Sequence, residues 1–219
     1  DSEACYVKVS DISHYNETDY PNSFKVSSAP FSIRPVITVS EPHLNQNIIV
    51  GSTGNTVTWN SNSSKLSKVD IYYTKDGING TFDKMITDGV ASTIGSNSYT
   101  TWGPVGNDIS STVIVKVRDK TSGVVNDHVY GLSSSFYILG SIVVNEPHLT
   151  PKENLPVGSS KTISWTKNGT LGDVKIYYYH NGSYDYIDTV NSNTASSYPW
   201  TVPPKIVNDS TIKVIEKDT

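Results

Sequence analysis

The stretch VSEPHLNQNIIVGSTGNTVTWN, Val39 to Asn60, is answered by NEPHLTPKENLPVGSSKTISWT, Asn145 to Thr166, about 105 residues further on. Internal repetition of this kind has to be read before anything else, because it sets the size of the folding unit. The match extends in both directions. VDIYYTKDG from Val69 pairs with VKIYYYHNG from Val174, YTTWGPV around Trp102 with YPWTVPP around Trp200, and VIVKVRD ending at Asp119 with TIKVIEKD near the C-terminus. The first residues join the pattern too, since YVKVSD followed by FSIRPVITVSEPH resembles VIVKVRD followed by FYILGSIVVNEPH. The expected organisation is a strand pair at 1–34 that forms the C-terminal part of a preceding unit, a complete domain at 35–138, and a second domain at 139–219 short of its last strand. Either the parent protein is longer at both ends, or the first piece completes a domain by a swap.

Within the complete unit, period-2 alternation and turn residues predict strands at 36–39, 55–60, 68–74, near 82–86, near 98–102, at 112–118 and at 134–139. Val69, Ile71 and Tyr73 share one face of the third strand, and Asp70, Tyr72 and Thr74 the other. Lys75-Asp76-Gly77 and His180-Asn181-Gly182 read as equivalent tight turns, because Asp-Gly and Asn-Gly supply positive φ. Pro42 and Pro147, lacking an amide donor, suit the place where a first strand leaves its sheet edge. Gly51 and Gly158 suit a bend, and Trp59 and Trp165 are the largest groups available to fill a two-sheet core. The fold class is therefore all-β: tandem sandwiches of about seven strands each. No Gly/Ser spacer separates the units, which implies a stiff string of beads.

Composition narrows the function. The 219 residues carry 17 Lys+Arg against 21 Asp+Glu, a net charge of −4 with scattered signs, so neither nucleic acid nor an anionic membrane surface is an expected partner. Fourteen Tyr and four Trp favour strands. No apolar run reaches membrane-spanning length. Cys5 is the single cysteine, which excludes an internal disulfide and leaves the cores to hold the domains.

No dinucleotide, P-loop, zincin, nucleophile-elbow or calcium-loop pattern occurs, and no catalytic residue is assigned. His43 and His148 hold equivalent repeat positions, which could serve a repeated metal or interface role; a cap or hydrogen bond at the interdomain turn is the expected one. Asp119 and Asp127 could contribute to an oxygen cage for Ca²⁺ at a junction, with Glu41 or Glu146; as carboxylates at strand ends they could equally satisfy loop amides. No other cofactor is expected. Tyr72, Tyr177, Tyr179, Tyr184 and Tyr186 are the ligand or interface candidates, since alternation puts them on sheet faces where rings can stack on sugars or on a neighbouring subunit, or simply on each other. Six Asn-x-Ser/Thr sequons, at Asn16, Asn62, Asn79, Asn168, Asn181 and Asn208, fit a glycosylated extracellular chain.

The elements Pro42, Val50-Gly51-Ser52, Trp59, Val69-Ile71-Tyr73, Tyr99 with Trp102, Val115-Val117-Asp119 and Phe136-Ile138 resemble the immunoglobulin-like repeats of the Ser-Thr-rich, glycosylphosphatidylinositol-anchored fungal cell-wall family, repeats also found in bacterial surface-layer and envelope proteins. The second unit carries Trp165, Val174-Ile176-Tyr178, Tyr198 with Trp200 and Ile212-Val214-Glu216. The resemblance implies a non-enzymatic structural module of the cell surface or envelope, a rigid spacer whose partners are adjacent copies or a cell-wall polymer. The alternative is an adhesion or carbohydrate-binding module that takes glycans.

Overall fold

The computed structural model describes residues 2–10, 24–27, 29–121, 126–148 and 151–217. Every regular element among them is a strand. Four short N-terminal strands, β1 (Ser2–Cys5), β2 (Lys8–Ser10), β3 (Phe24–Val26) and β4 (Phe31–Ile33), form two small antiparallel pairs, β1 with β4 and β2 with β3.

The next nine strands form two sheets. One has the order β10 (Gly95–Trp102), β7 (Asn55–Ser61), β5 (Ile37–Glu41). The other runs β6 (Asn47–Ile49), β13 (Phe136–Leu139), β11 (Ser110–Asp119), β8 (Lys68–Thr74), β9 (Lys84–Ala91), with β12 (Asn126–Leu132) also paired to β11. The last six strands repeat this arrangement in smaller form. One sheet is β14 (Ser141–Glu146), β15 (Ser160–Asn168), β18 (Ser197–Thr201); the facing one is β17 (Ser183–Asn191), β16 (Asp173–His180), β19 (Ser210–Glu216). The chain is a tandem of β-sandwiches, and each has its own apolar cluster.

The two tryptophans lie where the repeats place them. Trp59 on β7 is 1% exposed and Trp165 on β15 is 2% exposed, each between the sheets of its own sandwich. Val69, Ile71 and Tyr73 face the first core; Val174, Ile176 and Tyr178 face the second. A buried indole N–H needs a partner, and Trp59 Nε1 donates to the Ser92 hydroxyl at 3.1 Å. The equivalent Ser192 instead donates to the carbonyls of Leu171 and Gly172, and Trp165 Nε1 has no protein acceptor.

The repeated EPH phrase is a corner. β5 belongs to one sheet and β6 to the other, so the chain crosses between sheets at Pro42-His43. The crossing is stabilised locally: His43 Nδ1 lies 2.9 Å from Glu41 Oε2, and the His43 amide donates to Gln46 Oε1 at 3.0 Å. His148 makes the same pair of contacts with Glu146 and Glu153. Gly51 and Gly158 follow, at φ of 80° and 77°, values that L side chains rarely adopt.

Three strand expectations need correction. β6 and β12 were not anticipated, because β6 is a three-residue piece inside a turn-rich segment and NDHVYGL reads as polar loop. β9 starts at Lys84 rather than near Phe82. The two turns are also not equivalent. Asn181 and Gly182, at φ of 46° and 82°, close a two-residue hairpin in which His180 pairs with Ser183. The Lys75-Asp76-Gly77 segment instead opens a nine-residue connection, 75–83, between β8 and β9.

Between the sandwiches the connection is a single residue. β13 ends at Leu139, Gly140 follows, and β14 starts at Ser141. A Cβ at Gly140 would lie 2.4 Å from Leu171 Cδ2 and 2.9 Å from the Asn168 carbonyl of the second sandwich and 3.3 Å from Ile109 Cδ1 of the first, so the junction leaves no room for a side chain there. Asn107 crosses the same junction, donating to Thr170 Oγ1 at 2.6 Å and accepting from the Thr170 amide at 2.9 Å.

Candidate functional site

On β16 the residues alternate strictly, with Val174, Ile176, Tyr178 and His180 buried and Lys175, Tyr177 and Tyr179 half-buried on the other face. The tight turn at Asn181-Gly182 then sets the register of β17, placing Tyr186 opposite Tyr177 and Tyr184 opposite Tyr179. The four rings gather. Tyr177 is 6.2 Å from Tyr184 and 5.8 Å from Tyr186, both edge-on, and Tyr179 lies 4.7 Å from Tyr184. Lys213 of β19 places its ammonium 4.9 Å from the Tyr184 ring centre. Tyr184 and Tyr186 remain 53% and 57% exposed.

Tyr72 occupies the corresponding place in the first sandwich, but in different company. The Arg118 guanidinium covers its ring at 4.8 Å, and Lys116 lies 5.5 Å from the Phe82 ring and 4.4 Å from that of Tyr130. Each sandwich thus carries an aromatic and cationic patch on the outer face of the same sheet. In the first, cations lie over Tyr72 and Tyr130 while Tyr130 stays 47% exposed; in the second, Lys213 lies over Tyr184 and no cation lies over Tyr186 among the described residues. Exposed aromatic faces beside an ammonium can stack on the apolar face of a sugar ring or on a neighbouring protein surface.

Asp119 is buried, and its Oδ1 accepts from the Thr121 amide at 2.8 Å, which is how a carboxylate satisfies a loop where a strand ends. The side chain of Asp127 lies outside the described residues, as do Asn16 and its loop. Glu41 and Glu146 are engaged at their own corners.

Among the described residues the one carboxylate and imidazole group with metal-like spacing is Glu146, His148 and Glu153, whose ligand atoms fall within 4.8 Å of one another. Lys161 from β15 sits on it, with Nζ 2.8 Å from Glu146 and 2.5 Å from Glu153. The counter-charge is thus an ammonium supplied by the protein. Lys161 first, then His148, holds the Glu146 carboxyl down at about 2. The set was not legible in the sequence, since Lys161 reaches the corner from the neighbouring strand.

A second polar group that sequence reading missed stands at the Asn181-Gly182 end. Buried His180 Nε2 lies 2.9 Å from Asp185 Oδ2, and the Lys205 ammonium contacts both. Lys205 and then His180 hold the Asp185 carboxyl below the ordinary carboxylate range.

The five described sequon asparagines are all exposed. Asn62, Asn79, Asn181 and Asn208 lie in turns or bends, whereas Asn168 ends β15 and donates to the Ser141 hydroxyl at 3.2 Å.

No family model matches this sequence, and no curated protein matches it. Solved structures with a similar arrangement include Clostridium thermocellum CbhA fibronectin(III)-like modules, at 15% identity and TM-score 0.28, covering 84% of this chain and 87% of that one. Another is a marsupial T cell receptor, at 11% identity and TM-score 0.31, covering 84% of this chain and 62% of that one. A third is the chicken CNTN1 FN1–FN3 domains, at 14% identity and TM-score 0.27, covering 87% of this chain and 63% of that one. At these values they add nothing to what the sheets and cores already establish.

Proposed function

We infer that this chain is a structural segment of an extracellular or cell-envelope protein, a rigid spacer that also self-assembles in a surface layer or cell wall. The observation that carries this reading is the junction: one residue, Gly140, between the last strand of one sandwich and the first of the next, braced by the Asn107–Thr170 hydrogen bonds. A spacer has to transmit length and direction, and a junction without slack does so. The likeness to Ser-Thr-rich cell-wall and envelope repeats and the exposed sequons support the location. The open tyrosine face of β16 and β17 supports contact with adjacent copies or a wall polymer, where weak contacts gain strength by repetition.

Small-angle scattering of the full chain tests the spacer role directly. The expected result is an elongated particle whose pair-distance distribution broadens and whose flexibility rises when a Gly-Gly-Ser linker is inserted after Gly140. Identical profiles for both chains would contradict it. The same tyrosine face favours a second reading, carbohydrate binding. A broad glycan screen read by tyrosine fluorescence and resonance shifts is its test, and no response at Tyr184 or Tyr186 removes it.

A further inference from the structure

The four tyrosines of the second sandwich share their sheet face with two lysines. The strands lie in the order β17, β16, β19, and the outward residues form rows across them. Tyr186, Tyr177 and Lys213 stand side by side in one row, and Thr189, Lys175 and Ile215 in the next. Among the described residues neither lysine forms an ion pair, and the Lys213 ammonium lies over the Tyr184 ring at 4.9 Å.

The four carboxylates of these strands are all engaged elsewhere. Asp173, the one on the same face, lies 3.7 Å from the Lys217 ammonium. Asp185 holds His180 and Lys205 at the hairpin end. Asp188 accepts from the Thr189 amide at 2.7 Å and from the Tyr198 hydroxyl of the facing sheet, and Glu216 accepts from the Gly172 amide at 2.9 Å. Lys175 and Lys213 are therefore uncompensated positive charges beside open aromatic rings, on a chain whose net charge is −4. The first sandwich is built differently. Lys116 stands opposite Tyr72 as Lys213 stands opposite Tyr177, but there Arg118 lies over the ring and Met85 faces it from β9, so the run of tyrosines belongs to the second sandwich.

We propose that the outer face of β16, β17 and β19 binds an acidic polysaccharide, its sugar rings stacked on Tyr184 and Tyr186 and its carboxylates paired with Lys213 and Lys175. Charge complementarity selects the acid: two ammonium groups without protein counter-ions call for an anion, and the rings beside them call for one carried on an apolar-faced ring. Tyr184 and Tyr186 follow each other along β17 at the two-residue repeat, roughly 6.5 Å. They stand 53% and 57% exposed on an open surface, which suits a linear chain of sugars laid along the strand, whereas a small molecule needs an enclosing pocket. Each exposed contact is weak, and the repeated units of a polymer raise the total. The proposal rests on the carbohydrate reading of this face given above and names the class of glycan.

The test compares binding of the full chain to fluorescent oligogalacturonate and to the same oligomer with its carboxylates methyl-esterified, which keeps the rings and removes the charge. The acid form is expected to bind more tightly, by roughly 2- to 5-fold for each ion pair, and the difference should vanish at about 1 M salt. Lys213→Gln should lower affinity for the acid form by that factor and leave the ester unchanged, while Lys213→Arg retains the preference. The double variant Tyr184→Ala, Tyr186→Ala should weaken both forms at least ~5-fold. These side chains are exposed and lie outside the apolar cluster, so an unchanged melting temperature is expected alongside. Equal affinity for acid and ester overturns the acidic class and leaves carbohydrate binding standing. No binding of either form overturns both. Polyglutamate bound as tightly as oligogalacturonate overturns the sugar as partner, and acid-form binding undiminished in the tyrosine variant overturns this face as the site.

Discussion

Removing the junction brace should loosen the tandem without unfolding either sandwich. In the Asn107→Ala chain both hydrogen bonds to Thr170, at 2.6 and 2.9 Å, are lost, while the two apolar cores, to which Asn107 does not belong, are untouched. Each such bond contributes about 0.5–1.5 kcal/mol net, so the pair is worth about 1–3 kcal/mol. A free-energy change of that size multiplies the population of bent junctions roughly 5- to 150-fold. Ile109 stays packed beside the junction, its Cδ1 3.3 and 3.0 Å from where Cβ atoms of Gly140 and Gly169 would stand, which favours the lower half of that range. Single-molecule energy transfer between dyes at Lys65→Cys and Ser183→Cys, in a Cys5→Ser background, reads the distribution. Wild-type chains should give one narrow peak and the variant a broadened one, at unchanged melting temperature. A narrow, unshifted peak in the variant would refute the assignment of stiffness to this junction.

Other outcomes follow from the cores and the charged corner. Ser92→Ala leaves the Trp59 indole N–H buried without its acceptor, a loss of about 1–3 kcal/mol, which is roughly 4–8 °C in melting temperature for each kcal/mol in a domain of this size; Ser192→Ala, which takes nothing from Trp165, should cost less, as calorimetry can show. Asp70, whose side chain is 2% exposed, accepts from the Gly89 amide at 2.8 Å and lies 3.2 Å from Lys120 and 3.7 Å from Arg118, so Asp70→Ala should destabilise the first sandwich by roughly 3–5 kcal/mol in urea titration. Because the folded Glu146 carboxyl sits at about 2 against an ordinary 4.5, its ion pair is present in full above 4.5 and fades as pH falls towards 2; the melting temperature of Glu146→Gln should depend less on pH across that window, and parallel curves would contradict the pairing. With Asp119 bonded to the Thr121 amide and Glu146 to Lys161, calcium and chelator should give the same melting temperature; a rise with calcium would favour the cage at Asp119 and Asp127 instead.

Much of the architecture could be read from residues, and the reasons are local. Trp59 and Trp165 stand in alternating strands flanked by Gly bends, and no other element could bury them. The tyrosine face was legible because alternation on β16 and a two-residue turn fix which rings share a side. What escaped was set by partners distant in sequence. β6 is a strand because β13 lies beside it; its repeat counterpart Asn154-Leu155-Pro156 pairs with no strand among the described residues and is not one. The likeness of Lys75-Asp76-Gly77 to His180-Asn181-Gly182 misled because turn residues state a preference for positive φ, whereas loop length is decided by where the flanking strands resume pairing. The corner at Glu146 depends on Lys161 reaching across from β15, a contact no spacing rule encodes.

The proposed role as a self-assembling spacer meets its most direct test in electron cryotomography of the source cells with this segment labelled. The account expects labels at regular lattice spacing, in rows separated by the length of whole sandwiches. Labels scattered singly on isolated projections would contradict it.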